Sequence, residues 1–384
     1  MDACDALIVG GGPAGSACAW ALKRAGLDVA IIDRATFPRN KVCGGWITPA
    51  VLEELQIDPK EYARGRVLQP LTGFLTGRIG GPEVRTDYGQ PVSCGIRRCE
   101  FDAFLLERSG ARVLQNTPLK TTERAGGQWI VNATLAARIL IGAGGHFCPV
   151  ARHLGADARK ETAVAAQELE FEMTPEQQQK CSIRGEVPEL YFCGDMKGYG
   201  WCFRKGNYLN VGLGRLDQKG LPNHVAEFVA FLRKAGKIAF DLPVSMLGHA
   251  YLLYSRTNRK VVDDAVVLIG DAAGVAYSQS GEGIRPAIES GLLAAEVIVA
   301  AKGKYTRENL EPYRTALAER FGESGPDLST SVGSRLPSSW IEALGRAVLA
   351  NGWFSRHVVL DRWFLHRKQP ALHLFPGAEQ IEER

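Results

Sequence analysis

Six residues near the start of the chain, Gly10-Gly11-Gly12-Pro13-Ala14-Gly15, restrict its fold more than any other stretch. They follow the apolar run Leu7-Ile8-Val9, which reads as a buried strand. They open the alanine-rich segment from Pro13 to Ala25, which reads as a helix ended by Gly26. Val29 to Ile32 is a second strand, so the chain begins as a βαβ unit. In such a unit Gly10 permits the tight turn, Gly12 lets the backbone approach a pyrophosphate, and Gly15 allows close packing of helix on strand. The helix N-terminus, begun by Pro13 and Ala14, supplies unpaired N–H groups and a positive dipole end for the phosphates. Asp33 ends the second strand, placed to bind a ribose 2′-hydroxyl. The unit predicts dinucleotide binding; a glycine-rich surface turn is the competing reading.

Composition excludes several classes. Hydrophobic residues at 45% and charged residues at 23% describe a globular protein, and 384 residues suit two or three sub-domains. A net charge of +4 without a clustered basic stripe gives no expectation of nucleic-acid binding. Nine cysteines, an odd number with no C-x-x-C pair, form neither a disulfide framework nor a zinc site and suit a reducing compartment. The seven histidines show no metal spacing and receive no role. Asp2 and Asp5 stand where a signal peptide would be basic, and no run approaches the roughly 18 apolar residues of a membrane span. The expected location is cytoplasmic, peripheral to a membrane at most.

The expected fold class is α/β (α+β overall), with a helical C-terminal region. A Rossmann-type domain comprises residues 1–75, 95–160 and 255–330. An antiparallel-sheet substrate domain, residues 76–94 and 161–254, is inserted into it, and residues 331–384 form the C-terminal region. The segments behind this reading are a helix near Thr48 to Gln56, a helix from Phe101 to Arg108, and strands at Arg112 to Leu114 and Arg138 to Ile141. Leu119 to Thr122 and Gln128 to Ala133 read as a hairpin around Gly126-Gly127. Alternating segments at Ala165 to Met173, Tyr191 to Gly194 and Tyr208 to Gly214 predict the antiparallel sheet, with a helix near His224 to Ala235. Val266 to Ile269 returns to the buried-strand style, before helices at Ile284 to Ala301 and Arg307 to Phe321.

Three further segments carry a family resemblance: Arg98-Cys99-Glu100-Phe101-Asp102, the strand-Gly-Asp run Val267 to Gly274, and Ser280-Gly281-Glu282-Gly283-Ile284. In this order they resemble the FAD-dependent monooxygenases and reductases of the para-hydroxybenzoate hydroxylase fold, over roughly residues 1 to 300. The resemblance implies FAD, with Arg98 reaching its phosphates and Phe101 and Asp102 holding the helix. It also implies Asp271 at the ribitol, and Gly281, Gly283 and Ile284 facing the flavin edge, where a helix N-terminus stabilises reduced flavin. Arg34, Lys41, Cys43, Gly44 and Leu119 complete the expected cofactor-binding set. Gly144 stands where the family places an Asp, a departure that weighs against nicotinamide binding in the usual hydroxylase manner.

Two stretches narrow the resemblance. Lys41-Val42-Cys43-Gly44-Gly45 and Gly198-Tyr199-Gly200-Trp201-Cys202-Phe203-Arg204-Lys205-Gly206 look like the K-x-C-G-G and Y-x-W-x-F-P-K-G patterns of the geranylgeranyl reductase family, with Arg204 in place of Pro. That family implies saturation of prenyl C=C bonds by reduced FAD in an apolar cavity, with Cys43 near the flavin and Tyr199 and Trp201 lining the cavity. Hydride goes to one alkene carbon, and an acid (Cys43, Tyr199 or an ordered water) protonates the other. The competing readings are a small loop residue for Cys43 and core packing for Tyr199 and Trp201, which share one strand face. Arg204 and Lys205 are expected in a solvated turn. Only one G-x-G-x-x-G is present, so electrons are expected from transiently bound NAD(P)H or from a reduced ferredoxin-like donor protein.

At the C-terminal end Trp340, Trp353, Phe354, Trp363 and Phe364 interleave with Arg346, Arg356, Arg362, Arg367 and Lys368. The favoured reading is a helical cap that buries its aromatics; the other is an interfacial patch for a lipid substrate. The leading function is an ene-reductase acting on an apolar, isoprenoid-like small molecule. A flavin monooxygenase or halogenase is the alternative, though the halogenase W-x-W-x-I-P signature is missing. A non-catalytic flavin- or lipid-binding protein is the third reading.

Overall fold

The computed structural model describes residues 1–243, 245–323 and 350–373. Three sheets organise them. The first runs, in spatial order, Val262–Asp263, Val266–Leu268, Leu135–Gly142, Asp2–Val9, Val29–Ile32 and Arg112–Leu114. Its four inner pairings are parallel, as βαβ crossovers require. Ala6 to Val9 and Val29 to Ile32 are buried throughout, which is why they read as unbroken apolar runs rather than alternating ones. Helices Pro13–Arg24 and Ile284–Ala300 pack together over this sheet.

The second sheet has seven strands, in the order Leu247–Tyr251, Val164–Glu172, Tyr208–Arg215, Gly198–Lys205, Glu189–Phe192, Gly73–Arg78 and Glu83–Asp87. All its pairings are antiparallel except that between Glu189–Phe192 and Gly73–Arg78. Helix Leu221–Lys234 covers one face, burying Val225, Phe228 and Leu232. A three-stranded sheet, Trp46–Ile47, Ser93–Ile96 and Leu68–Leu71, bridges the two larger ones. The mixed α/β class is the one expected.

Several elements differ from expectation for identifiable reasons. The hairpin arm lies at Thr122–Ala125, not Leu119 to Thr122. Gly126 and Gly127 both have positive φ (57° and 77°) and form a two-residue turn, so pairing starts immediately at Ala125 with Gln128. The helix Arg307 to Phe321 is split into Arg307–Leu310 and Pro312–Phe321, because Pro312 has no N–H to continue the ladder and restarts a helix at its first turn. Trp340 and Arg346 lie outside the described residues. Of the other C-terminal aromatics, Phe364 is buried, Phe354 and Trp363 are half-buried and Trp353 is 67% exposed. The segment Gly352–Phe354 continues as a wider helical turn, Ser355–Phe364, and Val359, Leu360 and Phe364 join the second sheet's core beside Trp46 and Phe74. No helix among the described residues is long and apolar enough to cross a membrane.

The close approach of the first helix to the first strand depends on Gly15, where an added Cβ would overlap the carbonyl oxygen of Gly10 and meet Ile8 at 3.1 Å. Gly15→Ala is expected to destabilise the chain by about 3 kcal/mol, the upper range for forced overpacking. Gly194→Ala, at an exposed site where a Cβ meets nothing, is the control. Denaturant melts of the two variants check this, and equal midpoints would contradict it.

Candidate active site

A cavity of about 670 Å³ lies between the two larger sheets and is lined by residues of both. Every expected site residue lines it except Gly15, whose place is behind the loop. On the first-sheet side, Gly10 has φ +118°, and a Cβ there would also overlap the Ala143 carbonyl, so only glycine fits. Gly12 differs: a Cβ would meet only an Arg39 guanidinium nitrogen, at 3.4 Å, because that face opens on the cavity. Helix Pro13–Arg24 starts there without a side-chain cap, leaving its first N–H groups for a ligand. Asp33 accepts N–H from Gly11 at 2.7 Å and from Ala35 at 2.8 Å, which fixes a carboxylate with acceptor capacity to spare at the cavity edge. Arg34 and Leu119 line the same end.

Arg98 is the first residue of helix Arg98–Arg108 and is held by the fully buried Asp102 through two bonds of 2.8 Å. Burial opposes its charge, but Asp102 outweighs burial and keeps Arg98 firmly protonated. Arg39 reaches Asp102 at 3.3 Å. Asp271 follows strand Val266–Leu268 and meets Lys41 at 3.9 Å and His249 at 3.4 Å. Burial alone would raise its carboxyl; the His249 hydrogen bond and the Lys41 charge win and hold it below the usual carboxylate range. Burial and Lys41 push His249 the other way, towards the neutral form. Gly281, Gly283 and Ile284 complete this rim, where helix Ile284–Ala300 begins. Glu282 accepts the Arg285 N–H at 2.8 Å, while its second carboxylate oxygen is buried with no partner among the described residues.

The second-sheet side is aromatic. Tyr199, Trp201, Phe203 and Lys205 alternate along strand Gly198–Lys205 and so share one face. Trp201 lies across from Gly212, where a Cβ would overlap its indole. Its N–H donates to Asn210 Oδ1 at 2.7 Å. The Tyr199 hydroxyl donates to the Ser280 carbonyl at 2.6 Å, and burial drives its phenol well above the ordinary value. Trp46 and Phe364 stack at 5.4 Å and 8° beside this face.

The two glycine-rich and aromatic motifs are joined by a buried polar node. Asn210 Nδ2 shares its two protons among the Cys43 carbonyl at 3.1 Å, Glu168 at 2.8 Å and Glu170 at 3.1 Å. Glu168 also accepts the Cys43 N–H. Lys205 Nζ donates to Glu170 at 2.7 Å and to the Ile96 carbonyl at 2.9 Å. A Cβ on Gly45 would overlap both Lys205 Nζ and the Ile96 carbonyl, and one on Gly44 would press on Phe203 at 3.1 Å. Cys43 is thereby set against the cavity, its sulfur accepting the Gly45 N–H at 3.4 Å.

Two expectations are corrected. Lys205 is not in a solvated turn but 1% exposed, because strand alternation turns it inward with Trp201 and Phe203 while Arg204 faces out. The histidines are not all without a place, since His249 lines the cavity. Glu168, His249, Tyr251 and Trp46 carried no site assignment from sequence, and Phe364 only a place in the C-terminal cap. The one available signal was Ala166-x-Glu168-x-Glu170, two acids at core-facing spacing in a strand. Gly144 does line the cavity, and Arg259 ties the neighbouring loops, donating to the carbonyls of His146 (2.8 Å) and Ala272 (2.9 Å) while paired with Glu161.

The donor set fits FAD. Gly12 and the first helix amides would hold the pyrophosphate with Arg98 nearby, Asp33 a ribose, and Asp271, Gly281 and Gly283 the flavin end. Gly12→Val is expected to leave the fold intact and abolish FAD retention; a normally yellow purified variant would contradict this. Burial raises the Glu168 carboxyl to about 8 against the lowering effect of Lys205. A folded-state value above the unfolded one favours the protonated form, so stability falls as pH rises from about 4.5 through 8. Thermal melts of wild type should decline over that window, and those of Glu168→Gln should decline less.

A family model described as an FAD binding domain matches residues 3–321. A menaquinone reductase of Mycobacterium tuberculosis is 31% identical over 346 residues, covering 84% of this chain and 81% of that protein. The chloroplastic geranylgeranyl diphosphate reductase of Oryza sativa is 30% identical, covering 78% and 67% respectively. Among solved structures, a geranylgeranyl bacteriochlorophyll reductase-like protein of Thermoplasma acidophilum superposes with a TM-score of 0.76 at 20% identity, covering 96% of this chain and 98% of that one. The flavin-dependent halogenase CmlS gives 0.64 at 22%, covering 93% and 72%. At those identities the structural matches show the shared fold. The family match and the sequence relatives show more: the chain is an FAD-dependent oxidoreductase and belongs to the geranylgeranyl reductase family.

Proposed function

We propose that this protein reduces carbon–carbon double bonds in an isoprenoid chain. The observation that carries the reading is the continuity of one cavity from the glycine loop to an aromatic wall, with Cys43 between them. FAD, once reduced, supplies a hydride to one alkene carbon. The remaining work falls to the chain. Ala166, Leu190, Trp201 and Phe364 give a surface that holds a hydrocarbon and excludes water. Cys43, set against the cavity, donates the proton to the second alkene carbon and is reprotonated from solvent. Tyr199 is the poorer acid, because its proton is committed to the Ser280 carbonyl and its phenol is driven upward by burial. The electron donor in this reading is NAD(P)H bound transiently or a reduced ferredoxin-like protein.

The relatives that reduce a geranylgeranyl diphosphate or a menaquinone support the substrate class. The test is anaerobic. The flavin is reduced with dithionite, prenyl alkenes are added, and reoxidation is followed with mass analysis of the products. Reoxidation with a gain of two hydrogens per bond is expected. A flavin that stays reduced until oxygen arrives, then gives an oxygenated or halide-dependent product, would move the protein to the monooxygenase or halogenase class. Cys43→Ser is expected to slow the alkene step by about 10²-fold, the low end for a lost general acid, and to leave flavin reduction unchanged. Equal effects on both steps, or none, would remove Cys43 from proton transfer.

A further inference from the structure

We infer that the Tyr251 hydroxyl donates a hydrogen bond to the pyrimidine edge of the bound flavin and favours its reduced form. This rests on FAD binding and not on the alkene reading above, so it holds whatever the reduced flavin then serves. The placement of an uncommitted donor carries the inference. Tyr251 ends strand Leu247–Tyr251 at the edge of the second sheet, paired with Val164. Its ring packs on Val164, Leu253 and Ala276 and stacks with His249 at 5.9 Å and 26°. His249 in turn meets Asp271 at 3.4 Å. Gly281, with φ +69°, lies against the hydroxyl: a Cβ there would come within 2.4 Å of the phenol oxygen, so glycine leaves it room. The second sheet thus delivers a hydroxyl to the turn that opens helix Ile284–Ala300, at the flavin end of the cavity.

Tyr251 lines the cavity half-buried, and its hydroxyl makes no hydrogen bond among the described residues. The neighbouring donors are spent: the Tyr199 hydroxyl on the Ser280 carbonyl at 2.6 Å and the Trp201 N–H on Asn210 at 2.7 Å. The Trp46 N–H also lacks a partner among the described residues, but Trp46 packs among Phe74, Phe203 and Phe364 at the aromatic end, with that nitrogen fully buried. Burial drives the Tyr251 phenol above its ordinary value, so the proton stays on the oxygen as a donor. A donor held out of water calls for an acceptor, and the turn against which this one lies is the flavin's. Reduction gathers negative charge on the pyrimidine edge, which the N-terminus of helix Ile284–Ala300 also faces. A hydrogen bond to a charged acceptor is about twice as strong as one to a neutral acceptor, so the hydroxyl holds the reduced ring more tightly than the oxidised one and raises the flavin's potential.

The test reads the flavin alone, with no substrate present. Tyr251→Phe keeps the ring and removes the donor. The FAD-loaded variant and wild type are titrated anaerobically against a dye of known potential. At a fixed potential the ratio of reduced to oxidised flavin is expected to fall about tenfold in the variant, a midpoint lower by about 30 mV for a two-electron couple, with FAD retained. Tyr208→Phe, which removes a hydroxyl that bonds Glu172 outside the cavity, should leave the midpoint in place. An unchanged or higher midpoint in Tyr251→Phe would overturn the inference and assign the hydroxyl to the substrate. Loss of FAD from that variant would overturn it too, because the hydroxyl would then serve the oxidised cofactor as much as the reduced one. No alkene takes part, so none of these outcomes bears on the reductase reading, which keeps its own anaerobic test.

Discussion

Lys205 carries a full charge at 1% exposure, and much of the site is arranged to make that tolerable. An ammonium taken out of water needs close opposite charge and satisfied protons, and breaking such a pair costs about 3–5 kcal/mol. Glu170 and the Ile96 carbonyl meet that need from two different elements. Asn210 links Glu170 to Glu168 and both to the Cys43 peptide. The register of three strands, the path of the Cys43-Gly44-Gly45 loop and the tilt of the Trp201 indole all follow from this node. It joins the two motifs in space. Gly45 must be a glycine because its φ is positive and the Ile96 carbonyl lies against it beside Lys205, and a side chain at Gly44 would press on Phe203.

The node also sets where the cavity changes character. In front of it lies the dinucleotide side, rich in backbone N–H groups and fixed charges. Behind the loop lies a wall of aromatic rings, where the Trp201 N–H and the Tyr199 hydroxyl are already bonded. Bonds that cross between the sides, Tyr199 to Ser280 and Lys41 with His249 to Asp271, hold them at a constant distance. The C-terminal segment closes the aromatic end by stacking Phe364 on Trp46 and is itself fastened by Arg285 and Arg320, which donate to the Pro370 carbonyl at 2.8 and 2.7 Å. The proposed hydride transfer to an alkene would use such a junction, with a polar cradle for the cofactor and a dry surface for the substrate.

What was legible from sequence is what short-range sterics dictate. The glycine loop, its helix and Asp33 are legible because few residues can make that turn and approach a phosphate. The strand face of Tyr199 and Trp201 is legible because side chains alternate. The inward turn of Lys205 follows from the same alternation, yet its charge argued for solvent, and only Glu170 on a neighbouring strand resolves the conflict. His249 was invisible because its partner Lys41 is 208 residues away and no spacing records the pairing. The misplaced hairpin arm has a local cause: two glycines with positive φ fix the turn, and the apolar Leu119 drew the strand towards the cavity instead.

The central claim is that cofactor and alkene meet at this junction. The most direct measurement is a crystal structure of the FAD-loaded protein with a bound long-chain prenyl alcohol. The account predicts an isoalloxazine beside Asp271 and Cys43, with the prenyl chain lying between it and the Trp201 face and one alkene in van der Waals contact with the ring. A chain bound outside the cavity, or an isoalloxazine turned away from the aromatic wall, would contradict it.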